Sequence, residues 1–326
     1  VTADAPKAPE APEPPEATAT PETTPEPAAT PGTPGAPDAA AVAASTPVRE
    51  ALHFALRNGK LIAGLIVVVV LLIAAVFGPM AFDHGPNEYV GPPAASPSGD
   101  YWMGTTMFGQ DVFAQFLYGL RATFLVGVLG GGLAAIIGMV VGFVAGYRGG
   151  WVDEILNMLT NIVLVLPALV VLMIANAYLG VRSVGLQALF IGLTSWPWAA
   201  RAIRAQTFSL RARDFVDLAR LSGMRTPKII FREIAPNMSS YLFMTFILLF
   251  GGAILVGASL DFIGLGPTEG VSLGLMLNNA ARWSALQLGL WWWFIPPGAG
   301  ITAIVGALYV MNVGLDEVFN PKLREM

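Results

Sequence analysis

The chain has 326 residues, 55% of them hydrophobic and only 12% charged, with 18 Lys and Arg against 22 Asp and Glu. Soluble domains carry about 25% charged residues, so the composition excludes an ordinary cytosolic enzyme as the default reading. With 0 Cys and 2 His, disulfides, thiolate zinc sites and iron–sulfur clusters are also excluded, and a His-rich metal centre has little to be built from.

The first 50 residues differ from the rest. They hold 12 of the 25 prolines, 8 acids and 2 bases, whereas the remaining 276 residues hold 14 acids and 16 bases. The acidic balance therefore belongs to the tail. Such a composition buries too little apolar surface to offset the entropy of ordering it. Residues 1–48 are expected to be a disordered, partly polyproline-like cytoplasmic tail, and 49–326 the folded domain. The start of the chain lacks a basic segment followed by a short apolar one, so no secretory signal is expected there.

Six uncharged runs follow, at 61–82, 122–147, 155–181, 183–200, 234–260 and 283–315. A helix crossing the ~30 Å hydrocarbon layer needs about 20 apolar residues, so the runs predict an all-α membrane protein with six spanning helices. If the N-terminus is cytoplasmic, the outer segments hold only Arg121, Arg182 and Arg282 of the 18 bases. That bias predicts N-in and C-in topology, with the first span an uncleaved anchor flanked by Arg57 and Lys60. Trp102, Trp151, Trp283 and Trp291 to Trp293 lie near span ends, where amphipathic rings favour the interface. Gly130, Gly131, Gly132, Gly138 and Gly142 in the second run, and Gly251, Gly252 and Gly257 in the fifth, suit close helix packing.

The longest charged stretch, 201–236, lies between the fourth and fifth runs. It carries Arg201, Arg204, Arg211, Arg213, Arg220, Arg225, Lys228 and Arg232. Phe215, Leu218, Ala219 and Ser222 fall on one face at helical spacing, with Arg213, Asp217 and Arg220 off it. Gly223 suits a left-handed helix cap. Pro227 suits a new helix start, and Pro236 stands at the entry to the fifth run. The residues alone allow two readings: a surface helix on anionic lipid, or a helix docking into a groove of a soluble partner.

Here the chain resembles a known family. Asp217-Leu218-Ala219, then Gly223 after three residues, then Ile234-Ala235-Pro236 is similar to the EAA loop of ABC-importer permeases. Gly104 to Asp111 (GTTMFGQD), Leu117 to Arg121 (LYGLR), Gly146 to Asp153 (GYRGGWVD) and Ser259 to Gly266 (SLDFIGLG) resemble, in order, landmarks of the C-type dipeptide/oligopeptide permeases. The resemblance covers about residues 50–326. Asp217 replaces the usual Glu, Leu218 replaces an Ala, Ala235 stands where Leu is common, and Asp261 adds an acid two residues after Ser259.

The resemblance implies a type I ABC importer permease in a bacterial plasma (inner) membrane, moving dipeptides or oligopeptides by alternating access. It implies a heterodimer with a second permease, two cytoplasmic ATPases that bind ATP and Mg, and an extracytoplasmic peptide-binding protein, all against membrane lipid. Residues 211–224 would be the coupling helix, seated in a cleft of one ATPase. Phe215, Asp217, Leu218, Ala219, Gly223, Ile234 and Pro236 are its implied coupling residues: Asp217 as a charge contact, Ala219 as close packing and Gly223 as the turn. Nickel or another small solute is an alternative cargo on the same fold.

The chain itself is expected to be non-catalytic and to hold no cofactor, metal or nucleic acid. Gly59-Lys60 is followed by Leu61, so no phosphate-binding GxxxxGK[ST] loop exists. The acid pairs Asp153-Glu154 and Asp316-Glu317 lie at span edges and suit solvation or basic partners. An ion-coupled secondary transporter or channel would need ionisable residues inside the spans, and the six runs have none. A scaffold recruited through the tail is a third reading, separable by deleting the tail. Polar residues inside the runs are path candidates, chiefly Asn157, Asn161, Ser240 and Ser259, with Asn176, Ser239, Thr245 and Asn312 behind them; each also suits a helix–helix hydrogen bond. Asp261 and Arg282 are expected at the outer mouth, facing the binding protein.

Overall fold

The computed structural model describes residues 57–179, 183–268 and 270–319, with 176, 179 and 319 described by backbone alone. The tail 1–48, Arg182 and the Asn176 side chain lie outside the described residues. Among those residues the regular secondary structure is all helical, apart from one isolated bridge between Thr105 and Asp111.

Helix α1 (Gly59–Phe77) opens on Asn58, whose side chain accepts the Leu61 N–H at 2.9 Å, and runs on through a tight turn at Gly78–Ala81. Residues 83–111 then fold back towards the start of the next helix. Val90 N–H donates to the Gly109 carbonyl at 2.9 Å and Ala94 N–H to that of Thr106 at 2.8 Å. Helix α2 (Val112–Arg148) starts where Asp111 accepts the N–H groups of Phe113 and Ala114. It contains a widened turn at Gly127–Gly131 and carries exposed Arg121.

The run expected as one third span is two helices. Helices α3 (Gly150–Val165) and α4 (Ala168–Leu179) meet at 76°. Pro167 explains the break, because it pushes Leu166 to an extended ψ of 125° and cannot donate a helical hydrogen bond.

Helix α5 (Val184–Arg211) is capped by Ser183 and has Pro197 inside it. It does not stop at the first charge: Arg201 to Arg211, expected as loop, continue the helix. A 28-residue helix is about 42 Å long. Short helices α6 (Asp214–Leu221) and α7 (226–237) follow. Helix α8 (Ser239–Leu260) continues through a widened turn at Asp261–Leu265, broken at Gly264, whose φ is 87°. Helix α9 (Leu273–Arg282) is capped by Ser272. Helix α10 (Trp291–Phe319) tolerates Pro296 and Pro297 near its start. It begins eight residues after the expected run, because 283–290 form turns.

Four stretches are each long and apolar enough to cross a membrane: Gly59–Ala81, Val112–Arg148, Ser239–Leu265 and Trp291–Val318. The bent α3–α4 pair makes a possible fifth. Helix α5 falls outside that set; its last eleven residues carry Arg201, Arg204 and Arg211.

Packing depends on missing side chains. Gly138, Gly142 and Gly146 form one stripe of α2 against α5. A Cβ on each would lie 2.9 Å from Ala199 Cβ, 2.8 Å from the Ala200 carbonyl oxygen and 2.7 Å from the Arg204 carbonyl oxygen. The two backbones therefore touch, as small-xxx-small helix pairs do. On the other side, Gly64 and Gly314 bring α1 and α10 together in the same way.

Candidate functional site

The stretch between α5 and α8 is built on a buried base. Val216 and Ala219 of α6, with Ile229, Ile230 and Ile234 of α7, pack into one cluster with Ala199, Ala200 and Ile203 of α5. Phe215 and Ala235 are partly buried against it. Asp214 and Asp217 occupy the first turn of α6 and Arg220 the last, the arrangement that suits a helix dipole.

Gly223 ends α6 at φ 73°. Its N–H donates to the Arg220 carbonyl at 2.9 Å, and the Met224 N–H donates to that of Ala219 at 3.1 Å. That pair of bonds is a Schellman cap. It reverses the chain so that α7 can fold back under α6.

The other face of α6 is bare. Leu218 is 63% exposed and Leu221 is 85% exposed, and Phe231 of α7 is 72% exposed. Asp217 is exposed beside them and accepts from Arg220 Nη1 at 2.7 Å, while the Arg220 guanidinium sits 5.3 Å over the Tyr147 ring. A solvated apolar ridge with a charged flank, fixed to a buried base, has the features of a docking surface.

The expected coupling residues divide accordingly. Ala219 and Ile234 are buried and Phe215 half-buried; Gly223 makes the turn; Asp217 and Leu218 point outward; Pro236 is exposed at the end of α7. The expected single face of Phe215, Leu218, Ala219 and Ser222 is divided: Ala219 is buried and Phe215 half-buried, while Leu218 and Ser222 are exposed. The buried pair is Val216 and Ala219, three residues apart, and Leu218 belongs to the opposite ridge with Leu221. Val216, Leu221 and Phe231 were not singled out by the sequence reading. Five of the eight α6 residues are apolar, so local periodicity does not select a face.

The expected path residues are not gathered at one place. Asn161 accepts from Arg201, and half-buried Asn157 lies beside Thr160, Arg201 and Arg204. Next to them Arg204 makes a two-point contact with Asp153, Nη2 to Oδ2 at 2.6 Å. These groups are a polar seam joining α3 to α5. Ser240 and Ser259 stand at opposite ends of α8, about 28 Å apart at 1.5 Å per residue, and Ser259 donates to its own Leu255 carbonyl at 2.7 Å.

The outer pair is corrected in one half. Arg282 is exposed at the end of α9. Asp261 is only 3% exposed, so it offers no surface to another protein. Gln187 Nε2 donates to its Oδ1 at 2.7 Å, and the Ser272 hydroxyl donates to Oδ2. The fifth run therefore does not end in an aqueous charge. Its helical stretch reaches Leu265 and encloses a carboxylate, against the expectation of ion-free spans.

Residues 138–325 match the family model of the binding-protein-dependent transport system inner membrane component. The chain is similar to the dipeptide transport system permease protein DppC of Alkalihalophilus pseudofirmus, at 31% identity over 86% of this chain and 92% of that one. It is similar to the oligopeptide transport system permease protein OppC of Bacillus subtilis, at 30% identity over 82% and 88%. A Brucella suis biovar 1 protein that carries a peptide-permease name is 32% identical over 86% and 94%. The family match spans more than half of the chain, and these relatives align along most of both lengths. The chain belongs to the family of binding-protein-dependent transport system inner membrane components.

Proposed function

We propose that the chain is the permease subunit of an ATP-driven importer of dipeptides or oligopeptides. It pairs with a second permease, receives cargo from an extracytoplasmic binding protein, and alternates access as two cytoplasmic ATPases bind ATP and Mg. The chain performs no catalysis itself. The names of the relatives support the cargo class.

The bare ridge of Leu218 and Leu221 on a buried base is the observation that carries the coupling role. A helix lying on lipid through this face would also cover the ridge; membership of the binding-protein-dependent transport family favours docking into an ATPase cleft. The proposed topology is six spans with both termini cytoplasmic and 49–326 as the permease domain. The α3–α4 pair serves as one span and the uncharged part of α5 as another. The basic inner segments support that orientation.

Co-purification from membranes tests the docking. Replacing both Leu218 and Leu221 with Asp should remove the ATPases from the purified complex while the permease stays inserted. Undiminished ATPase recovery from that double variant refutes the assignment. Reporter fusions at residues 90, 212 and 285 test the topology.

A further inference from the structure

We propose that Asp261 is a positioning residue: the centre of a hydrogen-bonded clasp that fixes the outer ends of α5, α8 and α9 to one another, so that movement of the coupling loop reaches the outer mouth. The role deepens the transport reading above and rests on it.

An acid inside a membrane span is costly and needs a reason. Among the described residues no cation bonds to Asp261; its contacts are two neutral donors from two other elements. Gln187 stands in the first turn of α5 and is 2% exposed. One amide hydrogen goes to Asp261 Oδ1 at 2.7 Å and the other to the Gly257 carbonyl at 3.1 Å, both on α8. Ser272 holds Oδ2 and at the same time accepts the Leu275 N–H at 3.1 Å, so the same hydroxyl caps α9. Asn278, one turn on, donates to the Phe262 carbonyl at 2.5 Å. Gly274 lets α9 lie directly on α8: a Cβ there would stand 2.5 Å from the Ala258 carbonyl oxygen.

The clasp sits at the end of the molecule opposite the coupling loop. Helix α5 leads from Gln187 to Arg211, next to α6, and α8 leads back from the end of α7. Two long helices are thus joined at their inner ends by the loop and at their outer ends by this carboxylate, beside an apolar cluster that holds Ile191 with Ala253 and Leu260. Charge-assisted bonds in a water-poor site are the strong ones. Losing them frees the outer ends while leaving the α2–α5 contact and the loop intact.

The test uses the assembled complex in liposomes, with radiolabelled tetra-alanine as the transported probe. In Asp261→Ala, peptide taken up per ATP hydrolysed should fall about tenfold, the scale of one charge-assisted bond. Hydrogen exchange at the α9 amides of Leu275 to Asn278 should quicken. Asp261→Asn keeps the size and one acceptor and should stay within about threefold of wild type. An unchanged ratio of uptake to hydrolysis in Asp261→Ala overturns the proposal, as does unchanged exchange in α9. If Asp261→Ala does not assemble, Gln187→Leu removes the α5 arm alone; it should show the same loss, and normal coupling in it overturns the proposal. Failure of the wild-type complex to take up peptide would count against the cargo reading instead, since the exchange measurement needs no cargo.

Discussion

Replacing Gly223 separates backbone geometry from side-chain bulk in the proposed coupling loop. Gly223 has φ 73°, and no atom lies within 4 Å of where its Cβ would stand. A side chain there meets no wall, so the cost is that of the left-handed backbone, about 1–2 kcal/mol for a residue with a Cβ. That is small beside the roughly 5–15 kcal/mol stability of a domain, and membrane insertion should survive. It is large for a local turn, because 1–2 kcal/mol shifts a two-state balance by a factor of about 5–30. The Schellman cap then opens and α6 loses its angle to α7. Gly223→Val, β-branched and poorly suited to positive φ, should therefore cut uptake about tenfold or more, with normal permease levels in the membrane. Gly223→Asn has a larger side chain than Ala but tolerates the left-handed region, and it should keep most of the uptake. The assay is peptide uptake in cells lacking the native chain, normalised to permease recovered in membranes. Normal uptake by Gly223→Val refutes the reasoning. So does equal loss in the Asn and Val variants, which would mean that bulk, not backbone, is what the site rejects.

Three further outcomes follow from the packing. Gly142→Ala places a Cβ 2.8 Å from the Ala200 carbonyl oxygen and should lower thermal stability in detergent by about 1–3 kcal/mol. Gly132→Ala, in the same helix with nothing within 4 Å, should instead gain up to about 1 kcal/mol; equal effects at the two sites would refute the stripe. A double-mutant cycle on Asp153 and Arg204 should give a coupling of about 1 kcal/mol, since the pair is partly exposed, and additive single effects would show that the pair contributes nothing. Pro197→Ala should leave uptake within about twofold, and a tenfold loss would make Pro197 a working hinge.

The helical class was legible because charge is excluded from long runs and helices satisfy their own backbone in lipid. The turn at Gly223 was legible for a local reason: a Gly four residues past Ala219 suits one cap geometry. The ends of elements were less so. Arg201 looked like the end of a span, yet α5 continues because Arg211 bonds the Tyr147 carbonyl at 2.8 Å and Arg201 and Arg204 find partners on α3. Those contacts join residues 40 to 64 positions apart and leave no trace in local pattern. The buried face of α6 is decided the same way, by Ile229, Ile230 and Ile234 arriving from α7. Asp261 is the clearest case. A charge closing an apolar run reads as water-facing, and nothing nearby announces that Gln187, 74 residues earlier, will shelter it.

Whether α5 bends or swings as one piece is decided by where its proline lies. A proline inside a helix removes one backbone hydrogen bond and makes a natural bend. In α5 that point is clamped: a Cβ on Gly138 would stand 3.2 Å from the Trp196 carbonyl oxygen and 2.9 Å from Ala199 Cβ, on either side of Pro197. From there to Arg211 the stripe of Gly142 and Gly146 holds α5 on α2. The weak point thus lies within the contact with α2, not at its edge. Only Ala212 and Arg213 separate α5 from α6, too short a link to absorb displacement. On the proposed reading, a push on the Leu218–Leu221 ridge must therefore tilt α2 and α5 together. The outer part of α5, above Pro197, keeps a close contact with α2, where a Cβ on Gly192 would stand 2.7 Å from Leu133 Cβ and one on Gly130 3.2 Å from the Ala188 carbonyl oxygen; there the hydrogen bonds of Gln187 to Asp261 and Gly257 also hold it to α8. Loss of the clasp removes the polar link between α5 and α8 while the α2 contact stays, which is why it should loosen the outer mouth without disturbing the loop.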